Sequence, residues 1–218
     1  MERKNVLERK EISKAVLKRL PAYLSYLKSI PENASPNISA TALAAALGMG
    51  EVQVRKDLAM VSSGGRPKVG YNRLNLIDDI EQFLGYDNTT DAVMIGAGKL
   101  GQALLDYKGF EAYGLNILAA FDIRPMAEHT DSGKPIFPME ELEAFCRKNK
   151  VLMGIITVPA AHAQEVCDAL VKSGIKAIWN FANAHLEVPG NILVQYENMA
   201  TSLAVLSMHL QAQIKEKK

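Results

Sequence analysis

The sequence predicts an α/β protein in which a small helical domain precedes a parallel sheet covered by helices on both faces. In residues 1–86, apolar residues recur at three- and four-residue steps, which is typical of amphipathic helices. From residue 87 onward, short apolar runs alternate with glycine-containing turns and helix-compatible segments, which is the order of a βαβ unit. A chain of 218 residues has room for two modest domains of this kind.

The first predicted helical segment has one apolar face, formed by Ile12, Val16, Leu17, Leu20, Leu24 and Leu27. Pro21 interrupts this pattern, because proline removes one hydrogen bond from a helix interior. The segment is therefore either one kinked helix or two short ones. A loop over residues 31–37 follows it.

Two short helices joined by a tight turn are predicted next. Ser39 can cap a helix that ends at Leu47, and the turn at residues 48–50 contains two glycines. A second helix follows at once, from Glu51 to about Val61. This spacing is that of a helix-turn-helix, whose second helix enters the major groove of DNA.

The second of these helices keeps its polar side chains away from the core. Val54 and Leu58 lie one turn apart and are expected to face the core. Gln53, Arg55 and Lys56 then project elsewhere, as residues that read base edges must. A solvated helix face is the alternative interpretation of this charged pair.

The segment from residue 62 to 71 is small, basic and rich in glycine, which suits a β-wing. Arg66 and Lys68 would reach phosphates or a minor groove, and Ser62 and Ser63 complete the predicted DNA-binding set. Residues 1–86 carry 13 Lys and Arg against 9 Asp and Glu, whereas the remaining residues carry 12 against 15. The positive excess favours a polyanionic partner for the first domain.

A glycine fingerprint follows the first predicted strand of the second domain. The apolar run 92–95 leads into Gly96-x-Gly98-x-x-Gly101, and Asp122 ends the next apolar run, 21 positions after Gly101. Such glycines permit a tight turn, the approach of a pyrophosphate and close helix–strand packing. Asp122 would accept hydrogen bonds from a ribose diol and repel a 2′-phosphate, which predicts NAD(H) rather than NADP(H). The alternative is a glycine turn that serves packing alone.

Other patterns restrict the class of protein. No apolar stretch approaches the roughly 20 residues of a membrane span, and the charged N-terminus does not look like a signal peptide. Cys146 and Cys167 form no metal or redox motif. We therefore expect a cytoplasmic protein with no metal and no membrane partner.

Several motifs in series are more specific than the glycine fingerprint. Gln53-Val-Arg-Lys-Asp-Leu58 and the Gly-Arg-x-x-Val-Gly-Tyr segment 65–71 are followed by Gly96–Gly101, Asp106-Tyr-Lys-Gly-Phe110, Phe121-Asp122, Thr157-Val-Pro159 and Asn180-Phe-Ala182. In this order, from about residue 12 to residue 210, the chain resembles the Rex family of redox-sensing transcriptional repressors.

The resemblance implies a division of labour along the chain. Residues 1–86 would form a winged-helix DNA-binding domain and residues 87–197 a Rossmann-like, doubly wound NAD(H)-binding domain. Residues 198–218 would form a C-terminal helix, with Leu203, Leu206 and Leu210 on one face, that is exchanged in a homodimer. Such a dimer would repress transcription from an inverted repeat in double-stranded DNA and release it when NADH replaces NAD⁺. An ordinary helix packed on its own domain is the alternative for the last segment.

The resemblance also assigns residues to the ligands. Arg55 and Lys56 would contact base edges, while Arg66 and Lys68 serve the wing. The implied cofactor set is Gly96, Ala97, Gly98, Lys99, Leu100, Gly101, Tyr107, Asp122, Ile123, Thr157, Val158, Pro159, Asn180, Phe181 and Ala182. Thr157 to Pro159 and Asn180 to Ala182 end the predicted strands 151–158 and 177–181, so they are expected near the nicotinamide half. Tyr107, Phe181 and Met199 would distinguish NADH from NAD⁺.

One position departs from the family pattern. Many members have an acid near the start of the last helix that pairs with an arginine of the winged-helix domain. Here Asn198 stands at that place, Arg19 at the expected place of the arginine, and Glu197 beside it. This change puts in doubt the ionic coupling between cofactor state and the orientation of the DNA-binding domain. It does not affect the prediction of cofactor binding.

Two other classes of function remain open from the sequence. A small NAD(H)-dependent oxidoreductase would need an acid–base pair, and the four histidines (129, 162, 185 and 209) show no pairing with a carboxylate that would mark one. We therefore predict no catalytic residues and no enzyme. A CoA-type nucleotide binder also combines a glycine loop with later Pro and Asn-Phe turns, and Asp122 argues only modestly against it.

Overall fold

The computed structural model describes residues 13–216, which fold into two units divided between Asn88 and Thr89. The first unit has four helices and a two-stranded antiparallel sheet: α1 (Lys14–Ser29), β1 (Asn37–Ile38), α2 (Ala40–Leu47), α3 (Glu51–Val61), β2 (Tyr71–Asn72) and α4 (Arg73–Leu84). Within residues 13–216, no helix is both long and apolar enough to cross a membrane.

Helix α1 is one helix that continues through Pro21. Pro21 offers no N–H to the carbonyl of Leu17, and Leu17 lies on the exposed side, where water can satisfy that carbonyl. Leu17 is 41% exposed, so its predicted place on the apolar face is wrong. The other described members of that face, Val16, Leu20, Leu24 and Leu27, are buried, and Ile12 lies outside the described residues.

The helix-turn-helix forms where the sequence places it. The Ser39 hydroxyl oxygen accepts a hydrogen bond from the Ala42 N–H at 3.0 Å and caps α2. Gly48 ends α2 with a φ of +63°, in the left-handed region that favours glycine. Val54 and Leu58 of α3 are fully buried, which confirms their core assignment.

The second unit is a six-stranded, all-parallel sheet with helices on both faces. Its elements are β3 (Thr90–Ile95), α5 (Lys99–Leu105), β4 (Leu115–Asp122), β5 (Ile136–Pro138), α6 (Leu142–Asn149), β6 (Met153–Ile156), α7 (Ala163–Lys172), β7 (Ala177–Asn180), β8 (Leu193–Tyr196) and α8 (Met199–Glu216). The strand order is β5-β4-β3-β6-β7-β8, so the direction of winding reverses between β3 and β6. Ligands of open parallel sheets bind at that reversal, outside the carboxyl ends of the strands.

Alternate residues of the central strands enter separate cores on the two faces of the sheet. Val93 and Ile95 pack in the core that contains α6 and α7. Ala92 and Met94 pack on the opposite face with Leu105 of α5. Because both faces are covered near β3, this strand reads as a continuous apolar run.

Candidate functional site

The loop that follows β3 is shaped by its three glycines. Gly96 has a φ of +100°, which L side chains rarely adopt. A Cβ on Gly101 would overlap the carbonyl oxygen of Gly96, so the start of α5 packs directly on the loop. A Cβ on Gly98 would meet nothing within 4 Å. The loop is therefore closed at Gly96 and Gly101 and open at Gly98, where a ligand can approach.

Asp122, at the carboxyl end of β4, holds this loop. Its Oδ2 accepts a hydrogen bond from the Ala97 N–H at 2.7 Å, and its Oδ1 accepts one from the Arg124 N–H at 2.8 Å. The side chain is only half-buried, so its carboxylate also faces solvent. The predicted ribose acceptor thus lies beside the glycine loop and supports it.

Thr157, directly after β6, contacts the loop from the other side of β3. Its hydroxyl lies 3.0 Å from the carbonyl oxygen of Ile95 and 2.8 Å from that of Gly96. Its N–H also donates to the Ile95 carbonyl at 2.9 Å. Val158 is close as well, because its Cγ1 would lie 3.0 Å from a Cβ on Gly96. The structure thus brings residues from the ends of β3, β4 and β6 together at the reversal point of the sheet.

Asn180 has a structural task at the end of β7. Its side chain is fully buried; Nδ2 donates to the Ala184 carbonyl at 3.0 Å and Oδ1 accepts from the Ala182 N–H at 2.9 Å. These bonds close the turn that carries Phe181. Phe181 donates its own N–H to the Ile156 carbonyl at 2.9 Å, which ties this turn to the end of β6.

Four aromatic rings form a continuous row in the second unit. Tyr107 contacts Phe110 edge-on, with ring centroids 5.0 Å apart, and Phe110 contacts Trp179 at 5.6 Å. Trp179 in turn contacts Phe181 at 4.8 Å. Tyr107 is 56% exposed at the outer end of the row. The structure therefore joins two predicted cofactor residues, Tyr107 and Phe181, through two aromatic residues that sequence reasoning missed.

The remaining members of the predicted cofactor set lie next to these elements. Lys99 and Leu100 open α5, Ile123 follows Asp122, and Pro159 follows Val158; all four predicted residues are exposed. Ala182, in contrast, is buried within the turn that Asn180 closes.

In the first unit, α3 presents an exposed polar face. Gln53, Arg55 and Lys56 are all exposed, on the side away from Val54 and Leu58. Arg55 forms an ion pair with Glu51, one helical turn earlier. Because both side chains are well exposed, this pair is worth little in stability and leaves Arg55 free to exchange partners.

Residues Arg66 to Gly70 form a tight hairpin. The Arg66 N–H donates to the Gly70 carbonyl at 2.9 Å, and the Gly70 N–H donates to the Arg66 carbonyl at 2.9 Å. Lys68, at the tip, has a φ of +65°, which is uncommon for any residue other than glycine. The backbone thus holds the Lys68 side chain at the outermost point of the hairpin.

The hairpin and the helix-turn-helix line one basic groove. A cavity of about 500 Å³ is lined by residues of the hairpin, by Arg55 of α3 and by the first residues of α2: Ser39, Ala40, Thr41, Arg55, Gly65, Arg66, Pro67, Lys68, Gly70 and Tyr71. Three cations and no acid border it. Arg55 of α3 therefore shares one surface with Arg66 and Lys68 of the hairpin.

The two predicted serines differ in their surroundings. Ser63 is exposed, as expected of a residue that meets a ligand. Ser62 is only 8% exposed, and its hydroxyl oxygen accepts a hydrogen bond from the Gly64 N–H at 3.1 Å. The Ser62 hydroxyl thus shapes the turn into the hairpin.

A buried ionic cluster, which sequence reasoning missed, joins α1 to α3. Asp57 is 1% exposed and accepts hydrogen bonds from Arg19, at 2.7 and 3.0 Å, and from the Tyr23 hydroxyl, at 2.8 Å. Burial by itself would raise the pKa of Asp57, but the bonds from Arg19 and Tyr23 outweigh it and hold the pKa below its usual range. Burial also raises the pKa of Tyr23, to about 12. The sequence feature that could have predicted this cluster is the position of Asp57 on the same helix face as the core residues Val54 and Leu58.

The cluster changes the interpretation of Arg19. We expected Arg19 to be the arginine that an acid at position 198 would pair with, but Asp57 of its own unit holds it in a two-bond contact. Asn198 also has a role of its own, because its Oδ1 accepts a hydrogen bond from the Thr201 N–H at 3.2 Å at the start of α8. Arg19 and Asn198 therefore each have a hydrogen-bond partner within their own unit.

The described residues also include side chains of the kinds that bind metals or form disulfides. Within residues 13–216, no three His, Cys, Asp or Glu side chains come together in a way that could hold a metal ion. Cys146 and Cys167 are buried free thiols. Burial raises the pKa of both, that of Cys146 to about 11.

Two family models match this chain. The model described as "Putative DNA-binding protein N-terminus" matches residues 11–59, and the model described as "CoA binding domain" matches residues 87–184. The first match falls on the unit with the helix-turn-helix and the second on the unit with the glycine loop.

Curated relatives cover nearly the whole chain. The redox-sensing transcriptional repressor Rex of Treponema denticola is 42% identical over 197 residues, which span 88% of this chain and 92% of that protein. The Rex protein of Carboxydothermus hydrogenoformans is 38% identical, with 92% of this chain and 97% of that protein covered. The chain belongs to the Rex family of redox-sensing transcriptional repressors. This membership confirms the resemblance that the motifs carried, and Rex proteins are repressors rather than enzymes.

Solved Rex structures match both units of the chain. RSP in complex with β-NAD⁺ and operator DNA is 35% identical, covers 96% of this chain and 97% of the RSP chain, and has a TM-score of 0.85. RSP in complex with β-NADH is 34% identical, covers 95% and 99%, and has a TM-score of 0.80. RSP thus accommodates both redox forms of the cofactor, and operator DNA together with the oxidised one.

Proposed function

We propose that this chain is a homodimeric repressor that binds an inverted-repeat operator, holds NAD⁺ or NADH, and releases the operator when NADH binds. The observation that carries the proposal is the match to RSP, which spans the DNA-binding unit and the glycine-loop unit together and includes a complex with β-NAD⁺ and operator DNA. A repressor of this kind acts on DNA in the cytoplasm.

The DNA-reading surface is a winged helix formed by α2, α3 and the hairpin. In this proposal Arg55 and Lys56, which are exposed on α3, contact base edges, with Gln53 beside them. Arg66 and Lys68, which line the groove, contact the phosphate backbone or a minor groove, with the exposed Ser63 nearby. Their common groove with Arg55 supports one continuous DNA contact rather than two separate ones.

The cofactor lies across the reversal point of the sheet. Its pyrophosphate meets the open side of the glycine loop at Gly98, and its adenosine ribose meets Asp122. The nicotinamide half lies toward the ends of β6 and β7, near Thr157 to Pro159 and Phe181. The bonds of Asp122 and Thr157 to the loop support this placement, since they hold both sides of the binding surface before a ligand arrives.

The dimer forms through α8, which we propose is exchanged between subunits. Apolar side chains of this helix are more than half exposed to solvent in the single chain: Met199, Leu203, Leu206, Met208, Leu210 and Ile214. An exposed apolar surface of this kind marks an interaction site. A two-fold dimer would present two recognition helices to the two halves of an inverted repeat.

NADH can drive release only if it binds the DNA-incompetent arrangement more tightly than the competent one. A hundredfold preference corresponds to about 2.7 kcal/mol per site, and two sites per dimer make the response steeper. The two redox forms differ by a hydride and by one positive charge on the nicotinamide ring, so the groups around that ring must distinguish them.

The decisive experiment measures the Kd of the purified protein for an inverted-repeat operator selected from random sequences, at fixed salt, with NAD⁺, with NADH and with neither. We expect NADH to raise the Kd strongly, NAD⁺ to leave it low, and bound NADH to remain unconsumed. An operator Kd that both cofactors leave equal would contradict the proposal. A parallel titration with a CoA ester tests the alternative ligand that the second family model raises.

A further inference from the structure

A row of contacts leads from the cofactor crevice to the last helix within the second unit. Phe181 lies just beyond the carboxyl end of β7, and its backbone is bonded to the end of β6. Its ring contacts that of Trp179 with centroids 4.8 Å apart and planes inclined at 53°. The indole N–H of Trp179 then donates to Glu197 Oε1 at 2.9 Å.

Glu197 is the point at which the sheet passes into α8. Its backbone N–H donates to the Asn180 carbonyl at 2.9 Å, which continues the ladder between β7 and β8. With the Trp179 bond, Glu197 is therefore attached to β7 by its main chain and by its side chain. The next residue, Asn198, caps α8. The contacts of Glu197 with β7 thus fix the direction in which α8 leaves the sheet.

We propose that Trp179 and Glu197 are the positioning residues through which cofactor occupancy sets the direction of α8, and hence the arrangement of the dimer. This inference rests on the proposed function, since it assigns the coupling step of that function to a particular contact. A ligand that moves Phe181 moves the Trp179 ring packed against it, and the indole N–H carries that movement to Glu197. No other carboxylate is bonded to the Trp179 indole among residues 13–216.

Three variants separate the hydrogen bond from the bulk of the side chains. Trp179→Phe keeps an aromatic ring but removes the N–H donor. Glu197→Ala removes the acceptor, whereas Glu197→Gln keeps an amide oxygen that can accept the same bond. Glu165→Ala, which alters an exposed glutamate on α7, is the matched control.

The measured quantity is the ratio of operator Kd values with and without saturating NADH. We expect Trp179→Phe and Glu197→Ala each to lower this ratio by about fivefold or more. The double variant should fall no further than either single one, because both changes remove one contact. Glu197→Gln and Glu165→Ala should keep the wild-type ratio within about twofold. A purely structural role would lower the thermal midpoint of Glu197→Ala but leave this ratio unchanged.

The thermal midpoint and the operator Kd without cofactor are measured for every variant, so a folding defect is seen directly. If Trp179→Phe does not fold, the Kd ratios of Glu197→Ala and Glu197→Gln still test the role of the hydrogen bond. The inference is overturned if wild-type protein responds to NADH and the Glu197→Ala variant keeps its full ratio, or if the two single effects add. A wild-type protein that does not respond to NADH would instead overturn the proposed function itself, and this inference with it.

Discussion

Arg19 and Asp57 join α1 to α3 through two parallel hydrogen bonds, Nε to Oδ2 at 2.7 Å and a terminal guanidinium nitrogen to Oδ1 at 3.0 Å. The Asp57 side chain is 2% exposed and that of Arg19 is 22% exposed. Asp57 is flanked in sequence by the exposed Lys56 and the buried Leu58, so this contact holds the exposed polar face of α3, which we propose reads DNA, in a fixed orientation relative to α1.

Removal of Arg19 should destabilise the first unit. Arg19→Met leaves the Asp57 carboxylate buried with Tyr23 and Gln53 as its remaining partners, so we expect a loss of about 3 kcal/mol in the free energy of unfolding. Lys28→Met, in the same helix, breaks the exposed ion pair with Glu81 and should cost under about 1 kcal/mol. Urea unfolding followed by circular dichroism compares the two variants. Tryptophan fluorescence would not report on the first unit, because Trp179, the single tryptophan, lies in the second. Equal losses would show that the cluster adds no more than a surface pair does.

The same cluster should make the first unit acid-sensitive. The pKa of Asp57 is lower in the folded than in the unfolded chain, so the unfolded chain takes up the proton first. Its contribution is complete above the unfolded pKa of about 4 and is lost as the pH falls from there through the folded value. Asp57→Asn removes this titration, so its free energy of unfolding should fall less steeply below pH 4 than that of the wild type, by urea titration. Parallel curves for the two proteins would exclude Asp57 as a source of the acid sensitivity.

Two glycines of the loop should respond oppositely to alanine. Gly101→Ala forces a Cβ onto the Gly96 carbonyl oxygen, so it should lower the stability of the second unit by more than about 2 kcal/mol. Gly98→Ala meets open space at an ordinary φ of −71° and should change stability by less than about 1 kcal/mol. If a pyrophosphate approaches at Gly98, this second variant should nevertheless lose NADH affinity. Thermal unfolding and NADH titration measure the two effects, and full NADH affinity in Gly98→Ala would place the pyrophosphate elsewhere.

Helix and hairpin cations should have different effects on DNA binding. Arg55→Ala should cost roughly 1–3 kcal/mol on the selected operator and relax its sequence preference. Lys68→Asn removes a charge while keeping a residue that tolerates the positive φ at the tip, so it should weaken binding to all sequences and flatten the salt dependence. Anisotropy titrations on operator and random DNA at several salt concentrations distinguish these outcomes. Unchanged affinities of Arg55→Ala for both DNAs would contradict the assignment of α3.

Asp122 should set the choice between NADH and NADPH. Asp122→Ala removes a ribose acceptor and the charge that repels a 2′-phosphate, so NADH binding should weaken and any preference over NADPH should narrow. Because Asp122 also holds the Ala97 N–H, a modest loss of stability is expected as well. Calorimetric titration of both cofactors checks the preference. Equal binding of NADH and NADPH by the wild type would make this interpretation of Asp122 wrong.

Sequence periodicity predicted the elements that have strong local signals. The helices α2 and α3 begin and end where caps, glycines and apolar spacing predicted, and the strands before Gly96 and Asp122 are apolar runs. The strand predicted over residues 151–158 is shorter, Met153–Ile156. The prediction did not include β5, with three residues, or β8, whose side chains are mostly exposed, because neither has a clear alternating pattern.

The candidate site likewise has parts that the sequence predicted and parts that it did not. The glycine loop and Asp122 follow a local motif, so their proximity could be predicted from spacing. The Arg19–Asp57 pair joins residues 38 positions apart, and the Trp179–Glu197 bond joins residues 18 apart in different elements. Such contacts depend on how elements pack, which no single-sequence pattern contains.

The two buried thiols have a consequence for a protein that reports on cellular redox state. Oxidants attack the thiolate, and burial at Cys146 and Cys167 both hides the sulfur and raises the pKa at which a thiolate would form. Both sulfurs are therefore poor targets for peroxide in the folded protein. The chain can respond to the balance of a metabolite pool without a cysteine being oxidised when that balance changes.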